Sequence, residues 1–399
     1  MTSQSYFVDG GTLQPNDPSY VTRPADHELL QKVQEGAFCY VLTARQMGKS
    51  SLMIRAAQKL SEQGTRVALV DLTVIGVEAT ADQWYLGLLT SIIRELKLAV
   101  DVEGFWKKNS FLPAKQRFID FLHDIILKEV KENIAIFIDE IDSALSIDFG
   151  DDFFAGIRAM YSARARDAEY KRLTFVLLGV ATPNDLMKDP RIAQYNIGSQ
   201  IVLQEFSSDD AMPLRMGLER YFPGQGDRML ARIFYWTNGH PYLTQHLCQM
   251  ATQVETSEWS EQQIDELVES RFFSEGARRN TNLTFVRDRI RFMKPDIIQQ
   301  EMLQLYSLIY SRETIEDDDR SQPQLYLKLY GLVRAEKGKL QVSNEIYRRV
   351  FNQEWIAENL RTIQNNQIMP KRKNYLYIGV GIGILILIAV VLIIVFKLR

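Results

Sequence analysis

The chain has 399 residues, of which 46% are hydrophobic and 24% are charged, and its formal net charge is −3. This length allows two or three hydrophobic cores, while the nearly neutral charge gives no overall attraction to nucleic acid or acidic lipid. Two cysteines are too few for a disulfide framework or a thiolate zinc site, so we expect a reducing compartment.

The first part of the chain has the pattern of a helix, a strand, a loop and a second helix. The first helix is predicted around residues 26–33, and the apolar run at 38–42 predicts the strand. The loop TARQMGKSS, residues 43–51, follows directly, and helical periodicity extends over 49–63. This order is typical of a phosphate-binding site, because loop N–H groups and a helix N-terminus attract an anion.

The loop resembles the pattern G-x-x-x-x-G-K-[ST], with Thr43 in place of the first glycine. In that pattern Lys49 would reach the β- and γ-phosphate oxygens, and Ser50 would place its hydroxyl on Mg²⁺. Glycine at the first position usually allows a backbone angle that a β-branched residue disfavours, so we expect a differently built or strained turn. The other loop residues predicted to surround the phosphates of ATP or ADP are Arg45, Gln46, Met47, Gly48 and Ser51.

A pair of acidic residues forms the second chemical signal. Two helical patterns, at 81–98 and 113–130, precede an apolar run at 134–138 that ends in Asp139 and Glu140. Carboxylates at the end of a buried strand are costly unless something there needs their charge. Asp139 would hold Mg²⁺ through water, and Glu140 would orient and deprotonate the attacking water. Capping of the following helix is the alternative explanation for the acids.

Three further apolar runs, at residues 66–73, 174–180 and 199–206, bring the number of predicted strands to five. Five strands that alternate with helices predict an α/β domain with a doubly wound parallel sheet.

A strand between the loop and the acidic pair, with a glutamate beside the aspartate, resembles the additional-strand, catalytic-glutamate branch of the P-loop NTPases. That branch often places a polar group that senses the γ-phosphate after the fourth strand, where this chain has Thr182 and Asn184. A turn around Pro183 explains these polar residues almost as well. Arg45, Arg164, Arg166 and Arg191 are candidate arginine fingers across a subunit interface, and the sequence does not choose among them.

Five stretches together resemble the AAA-like ATPase domain of bacterial STAND proteins, especially those common in cyanobacteria. They are SYVTRPADHELL, CYVLTARQMGKSSL, FIDEID, GVATPNDL and NGHPYLTQHL, and the resemblance covers about residues 6–359. In that family the proline of a G-x-P motif lies near the adenine and couples the nucleotide to the next domain, a role that falls on Pro241. The resemblance also assigns Arg23 and Asp26 to a segment that flanks the base.

The pattern becomes helical beyond residue 206 and ends in a predicted helix and hairpin. Residues 331–343 indicate two short strands joined at Lys337-Gly338, and a hairpin after a helix is typical of a winged helix. Winged helices often bind DNA, and a basic tract lies at 278–294. The acidic residues 317–319 would repel phosphates, so we expect docking within the chain rather than nucleic-acid binding.

Residues 375–396 contain no charged side chain and, as a helix, would match the hydrocarbon thickness of a bilayer. We therefore predict a transmembrane helix at 374–397, preceded by a basic linker at 361–373. The basic residues before it place the N-terminal domains in the cytoplasm, and the resemblance to bacterial proteins implies a bacterial inner membrane. No signal-peptide pattern is present at the N-terminus. Gly379 and Gly383 would allow two such helices to approach closely.

The predicted order is a P-loop NTPase domain at 1–206, a helical domain with the G-x-P motif at 207–292 and a winged-helix domain at 293–360. We predict a membrane-anchored ATP/ADP switch that hydrolyses ATP slowly and forms a homo-oligomer on activation. A defence or cell-death role is implied by the resemblance and topology alone. The sequence contains no WD40-like, tetratricopeptide-like or leucine-rich array, so the output of the switch would be the transmembrane helix or a partner protein. A partner protein is also a candidate for the sensor. The alternatives are a steady-turnover ATPase acting on DNA or protein at the membrane, and a degenerate scaffold in which Thr43 has disabled the loop.

Overall fold

The computed structural model describes residues 5–8, 10–182, 185, 198–256, 258–273, 280–294 and 296–368. The first part of the chain contains a five-stranded parallel sheet, and the second part contains helices and one two-stranded hairpin. Within these residues, no helix combines the length and apolar character that a membrane crossing needs. The predicted transmembrane segment at 374–397 lies outside the described residues.

The sheet and its helices occupy residues 24–200. The strands are β1 (Cys39–Leu42), β2 (Arg66–Asp71), β3 (Ile134–Asp139), β4 (Leu173–Gly179) and β5 (Ser199–Gln200). The helices are α1 (Pro24–Gln34), α2 (Lys49–Glu62), α3 (Ala81–Leu96), α4 (Val102–Lys108), α5 (Ala114–Phe121), α6 (Leu127–Glu129), α7 (Asp142–Leu145) and α8 (Gly150–Ala163). A π-helical turn joins α5 to α6, so the helix predicted at 113–130 contains a π-bulge.

The second part of the chain is mainly helical. Its elements are α9 (Met212–Tyr221), α10 (Gly226–Thr237), α11 (Pro241–Thr252), α12 (Glu261–Val268), α13 (Thr281–Arg291), α14 (Asp296–Tyr310), α15 (Gln322–Leu329), β6 (Val333–Glu336), β7 (Lys339–Val342), α16 (Glu345–Val350) and α17 (Gln353–Ile368). The predicted hairpin is present, since β6 and β7 pair in antiparallel register. Lys337 and Gly338 between them both have positive φ, at 50° and 76°, which a tight two-residue turn requires.

The strand order in the parallel sheet is β2-β3-β4-β1-β5. The predicted five-stranded parallel sheet is confirmed, and β4 lies between the loop-bearing strand β1 and the acid-bearing strand β3. Strand β2, which stands between them in the sequence, lies at the edge of the sheet instead. Hydrophobic patterns do not encode this order, because central strands of a parallel sheet all appear as similar apolar runs.

The fifth strand is much shorter than the predicted span of 199–206. Its ladder with β1 covers only Ser199 and Gln200, and one further bond runs from the Ile201 N–H to the Tyr40 carbonyl (2.9 Å). Ile201 and Leu203 are nevertheless buried. The prediction was wrong because alternating burial marks a segment that packs on a core, whether or not its backbone pairs with a neighbouring strand.

One hydrophobic core joins the regions predicted as separate domains at 207–292 and 293–360. Trp236 of α10, Leu303 of α14 and Tyr347 of α16 are all buried and belong to the same cluster. Phe7, near the N-terminus, is buried in this cluster as well.

Part of the predicted linker at 361–373 is helical, because α17 continues to Ile368. Ile356 and Ile363, two helical turns apart, are both buried on the shared core, which explains why the helix extends past residue 360.

The two parts of the chain meet closely at Gly239. The Phe206 N–H donates to the Gly239 carbonyl (2.8 Å), and Gly239 has φ of 72°. A Cβ added at this position would lie 2.0 Å from the Phe206 carbonyl oxygen. Glycine is therefore needed here for its backbone angle and for its size.

We expect Gly239→Ala to destabilise the protein by at least about 3 kcal/mol more than Gly224→Ala. Both glycines have positive φ (72° and 77°), so both substitutions strain the backbone, but a Cβ at Gly224 meets no atom within 4 Å. Urea unfolding followed by tryptophan fluorescence would measure the difference. Equal losses would mean that the junction relaxes without cost.

Candidate functional site

The loop between β1 and α2 contains two residues of positive φ, Gln46 (62°) and Gly48 (89°). Thr43, which stands where the motif usually has glycine, does not have a positive φ, so its backbone angle is one that a residue with a side chain adopts readily. The strain expected for Thr43 lies on Gln46 instead. Left-handed residues in such a loop turn successive N–H groups toward one side, which is the geometry of an anion-binding nest.

The N-terminus of α2 and the Lys49 ammonium point to the same chemistry. Gly48 caps this fourteen-residue helix without a side-chain hydrogen bond, so its first-turn N–H groups can bind an anion. Lys49 is 7% exposed, and its Nζ donates to the carbonyl oxygens of Thr43 (3.3 Å) and Ala44 (3.0 Å). Burial lowers the pKa of Lys49, while the nearby Asp139 opposes this shift. An ammonium has three donors, so the two neutral carbonyls leave one donor for a further acceptor.

Ser50 and Asp139 meet across the sheet. The Ser50 Oγ donates to Asp139 Oδ2 (2.9 Å), and the Glu140 N–H donates to Asp139 Oδ1 (2.9 Å). Asp139 is 6% exposed. A hydroxyl and a carboxylate oxygen at this distance are the hard ligands that Mg²⁺ prefers, so these two residues fit the predicted metal role.

Glu140 follows β3 in a left-handed conformation with φ of 55°. Burial, together with the carboxylates of Asp142 and Asp139, raises the pKa of Glu140. The helix α7 begins after Ile141 without a side-chain cap, so neither member of the acidic pair caps it. A carboxylate with a raised pKa on a strained backbone suits proton transfer from water.

A cavity of about 370 Å³ lies against the loop, and its size is typical of small-molecule sites. Most of the site residues predicted from the sequence line it. These are Arg23, Arg45, Gln46, Gly48, Lys49, Ser50, Ser51, Glu140 and Pro241.

Four predicted site residues do not line the cavity, and three of them support it from behind. Asp139 bonds Ser50, the Thr43 carbonyl accepts from Lys49, and the Met47 carbonyl accepts from an arginine. The fourth, Thr182, lies outside the cavity lining, and its N–H and hydroxyl both donate to Asp185 Oδ2 (2.7 and 2.8 Å). These contacts are those expected if Thr182 belongs to a turn, which was the alternative explanation for this residue. Pro183 and Asn184 lie outside the described residues.

Arg23 connects the segment before β1 to the loop. Its Nη1 donates to the carbonyl oxygens of Met47 (2.8 Å) and Gln204 (3.0 Å), and it is 4% exposed. Asp26 accepts from the Tyr20 hydroxyl (2.6 Å) and the Arg23 N–H (2.9 Å), which fixes the start of α1. Arg23 thus acts on the shape of the loop, and Asp26 holds Arg23 in place.

The sequence motifs do not include the N-terminal and aromatic lining of the cavity. The additional lining residues are Val8, Gly10, Gly11, Thr12, Leu13, Tyr20, Val21, Phe206, Tyr242 and Gln245. The Leu13 N–H donates to the Ser51 Oγ (3.0 Å), which holds residues 10–13 beside the start of α2. The adjacent glycines Gly10 and Gly11 were the one signal in the sequence that the backbone could pass close to a site there. In the structure both have positive φ, at 83° and 80°.

The structure narrows the set of candidate arginine fingers. Arg164 donates to three backbone carbonyl groups of its own chain, so it has a structural role. The Arg45 guanidinium lies 5.0 Å from the ring centroid of Phe285 in the same chain. Arg166 is exposed, and Arg191 lies outside the described residues.

Comparisons with known sequences extend over most of the chain. A sequence profile of the family described as the AAA-like domain matches residues 8–353. An uncharacterised WD repeat-containing protein of Synechocystis sp. strain PCC 6803 is 37% identical over 375 residues, which is 91% of this chain and 31% of that protein. The chain thus spans about a third of the length of this relative.

Solved structures share the fold at low identity. A Walker-type ATPase of Pyrococcus abyssi superposes with a TM-score of 0.54 at 17% identity, covering 86% of this chain and 99% of that one. The ORC2 protein of Aeropyrum pernix, solved in ADPNP and ADP complexes, superposes with a TM-score of 0.50 at 14% identity. That match covers 86% of this chain and 93% of ORC2.

We expect Glu140→Gln to raise the melting temperature at about pH 8 and to lose this advantage near pH 4. The pKa of Glu140 is raised in the folded protein, so the fold binds this proton more tightly than the unfolded chain does. The contribution of Glu140 to stability is therefore greatest at low pH and declines as the pH rises through the raised value. Glutamine removes the charge at every pH.

Thermal melts at several pH values would test this, with Glu301→Gln on the exposed face of α14 as a control for charge removal. A constant difference between Glu140→Gln and wild type from pH 4 to about pH 8 would contradict the assignment of the raised pKa to Glu140.

Proposed function

Because the chain belongs to the AAA-like domain family, we propose that it is a switch that binds ATP and ADP in the cavity beside residues 43–51. The observation that carries the proposal is the meeting of Lys49, Ser50 and Glu140 at one cavity, with Asp139 bonded to Ser50 behind them. These are the groups that phosphoryl transfer needs, namely a cation, metal ligands and a proton acceptor.

In this proposal, the Lys49 ammonium and the first-turn N–H groups of α2 bind the phosphate oxygens of the nucleotide. Ser50 would hold Mg²⁺ directly and Asp139 through water, and the metal would neutralise charge on the β- and γ-phosphates. Glu140 accepts the proton of the attacking water at its carboxylate.

The remaining surface of the cavity suits a base. Tyr20, Phe206 and Tyr242 supply aromatic rings, and Pro241 lies at the first position of α11. The Aeropyrum ORC2 protein was solved with adenine nucleotides, which supports this class of ligand for a related fold.

The cavity is lined by both parts of the chain, which supports a nucleotide-dependent switch. Lys49 and Glu140 belong to the sheet region, between residues 24 and 200, whereas Pro241, Tyr242 and Gln245 belong to the helical region that begins at α9. A ligand that contacts both regions favours the arrangement in which both contacts are made. We propose that ADP favours this closed arrangement, that exchange for ATP releases it, and that hydrolysis is slow.

We propose that residues 293–360 form a winged helix that docks on the sheet region rather than on DNA. A Cβ added at Gly331 would lie 3.4 Å from the Ala44 Cβ of the phosphate loop, which supports docking. Among the acidic residues near the hairpin, Asp317 and Asp319 both accept from Lys328 at 2.7 Å.

We also propose that residues 374–397 anchor the switch in a membrane, with the preceding domains in the cytoplasm, and that activated chains assemble there. The uncharged run at 375–396 supports this anchor. The Synechocystis relative is described as WD repeat-containing, and a repeat array in a partner protein would supply the corresponding sensor here. The resemblance to STAND proteins adds a defence or cell-death role to the proposal.

We expect Lys49→Ala to weaken the binding of a fluorescent ATP analogue at least about 30-fold, because it removes the charged donor to the phosphates. Lys108→Ala, which removes an exposed lysine, serves as the control. Wild-type protein should also co-purify with ADP and turn over slowly. Equal binding by wild type and Lys49→Ala would favour the degenerate scaffold, and rapid turnover stimulated by DNA would favour the steady-turnover ATPase.

A second experiment tests assembly and membrane action. Glu140→Gln should retain ATP and accumulate as a larger species, because it lacks the proton acceptor for hydrolysis. Size-exclusion chromatography with light scattering, and dye release from lipid vesicles, would be compared for this variant with and without residues 374–399. An ATP-bound Glu140→Gln protein that stays monomeric and leaves vesicles intact would overturn the proposed output.

A further inference from the structure

We propose that Asn282 is a positioning residue for the phosphate-binding loop and that Tyr347 holds Asn282 in place. This inference rests on the proposed nucleotide function of the loop and concerns how that site is regulated. Through these two side chains, the last third of the chain would set the shape of the loop and hence its affinity for nucleotide.

The connection consists of two hydrogen bonds in series. The Asn282 Nδ2 donates to the Gln46 Oε1 (2.8 Å), and the Tyr347 hydroxyl donates to the Asn282 Oδ1 (2.7 Å). The Gln46 Nε2 also lies 3.5 Å from the Thr281 Oγ1. Both ends of the Asn282 amide are therefore occupied, one by the loop and the other by α16.

These bonds lie in a protected environment. Asn282 is 2% exposed and Tyr347 is 1% exposed. Removing the partner of a buried polar group costs more stability than removing that of an exposed one, because water does not replace the lost partner. Breaking either bond should therefore change the conformation of the remaining partners rather than leave them in place.

The side chain that Asn282 holds belongs to the strained residue of the loop. Gln46 has φ of 62°, a conformation that a residue with a side chain adopts only when its surroundings enforce it. This left-handed backbone contributes to the concave row of N–H groups. Without the contact to Asn282, we expect the loop to spend more time in relaxed conformations that bind phosphate less well.

Two further contacts place α13 on the same region. The Arg45 guanidinium of the loop lies 5.0 Å from the ring centroid of Phe285 in α13. The Arg289 Nη2, also in α13, lies 3.6 Å from the Oδ2 of Asp142 at the start of α7. One helix therefore touches both the loop and the element that follows the acidic pair. Because coupling is reciprocal, nucleotide in the cavity would in turn stabilise the docked position of α13.

The test compares two tyrosines of the same core in the full chain, purified in detergent. Tyr347→Phe removes the hydroxyl that bonds Asn282, whereas Tyr306→Phe removes a buried hydroxyl that has no hydrogen-bond partner among the described residues. We expect Tyr347→Phe to weaken the binding of a fluorescent ADP analogue about three- to tenfold, and Tyr306→Phe to leave the affinity for this analogue unchanged. Thermal melts of both variants would confirm that binding is measured on folded protein.

A double-mutant cycle tests whether the effect passes through Gln46. Tyr347→Phe added to Gln46→Ala should weaken binding by less than about twofold, because the relay has already been cut. Asn282→Leu, which keeps the volume and removes both bonds, should match Tyr347→Phe or exceed it. Equal affinities of Tyr347→Phe and Tyr306→Phe, or full additivity with Gln46→Ala, would overturn the inference.

Lys49→Ala separates this inference from the proposed function. If wild type binds the analogue and Lys49→Ala does not, a normal affinity of Tyr347→Phe refutes the relay alone. If wild type and Lys49→Ala bind equally, both the nucleotide site and its regulation by Asn282 are refuted.

Discussion

The hydrogen bond between Ser50 and Asp139 is the interaction on which the rest of the site depends. It joins the start of α2 to the end of β3, although β4 lies between the strands β1 and β3. The bond can form only because parallel strands bring their carboxyl ends to one edge of the sheet, with Leu42 opposite Gly179 and Ile138 opposite Leu177. A shift in this register would separate the hydroxyl from the carboxylate and leave Asp139 buried without a partner from the loop.

Local signals in the sequence predicted the residues that the structure brings together beside the cavity. Lys49, Ser50 and the acidic pair were found because a strand, a loop and a helix N-terminus leave a short, contiguous pattern. The parallel sheet and the hairpin at Lys337-Gly338 were predictable for the same reason. Features that depend on spatial order were not predictable, such as the position of β4 between β1 and β3. The aromatic residues that line the cavity, Tyr20, Phe206 and Tyr242, lie far apart in the chain, so no single stretch of sequence predicts them as a group.

The departure from the motif at position 43 shows how a local pattern can mislead. Thr43 does not carry the unusual backbone angle, and the strained residue is Gln46. Two side chains outside the loop support its shape, since Arg23 bonds the Met47 carbonyl and Asn282 bonds Gln46. The conformation of the loop therefore depends on contacts from outside the motif as well as on the motif itself.

The N-terminal segment is held at both of its ends. Tyr6 donates its hydroxyl to the Pro213 carbonyl of α9 (3.0 Å), and Leu13 bonds Ser51 at the other end. Phe7 is buried in the core of the helical region. A solute leaving the cavity past this segment would have to break contacts with both parts of the protein at once. Along that route, dissociation could be no faster than the opening of the segment.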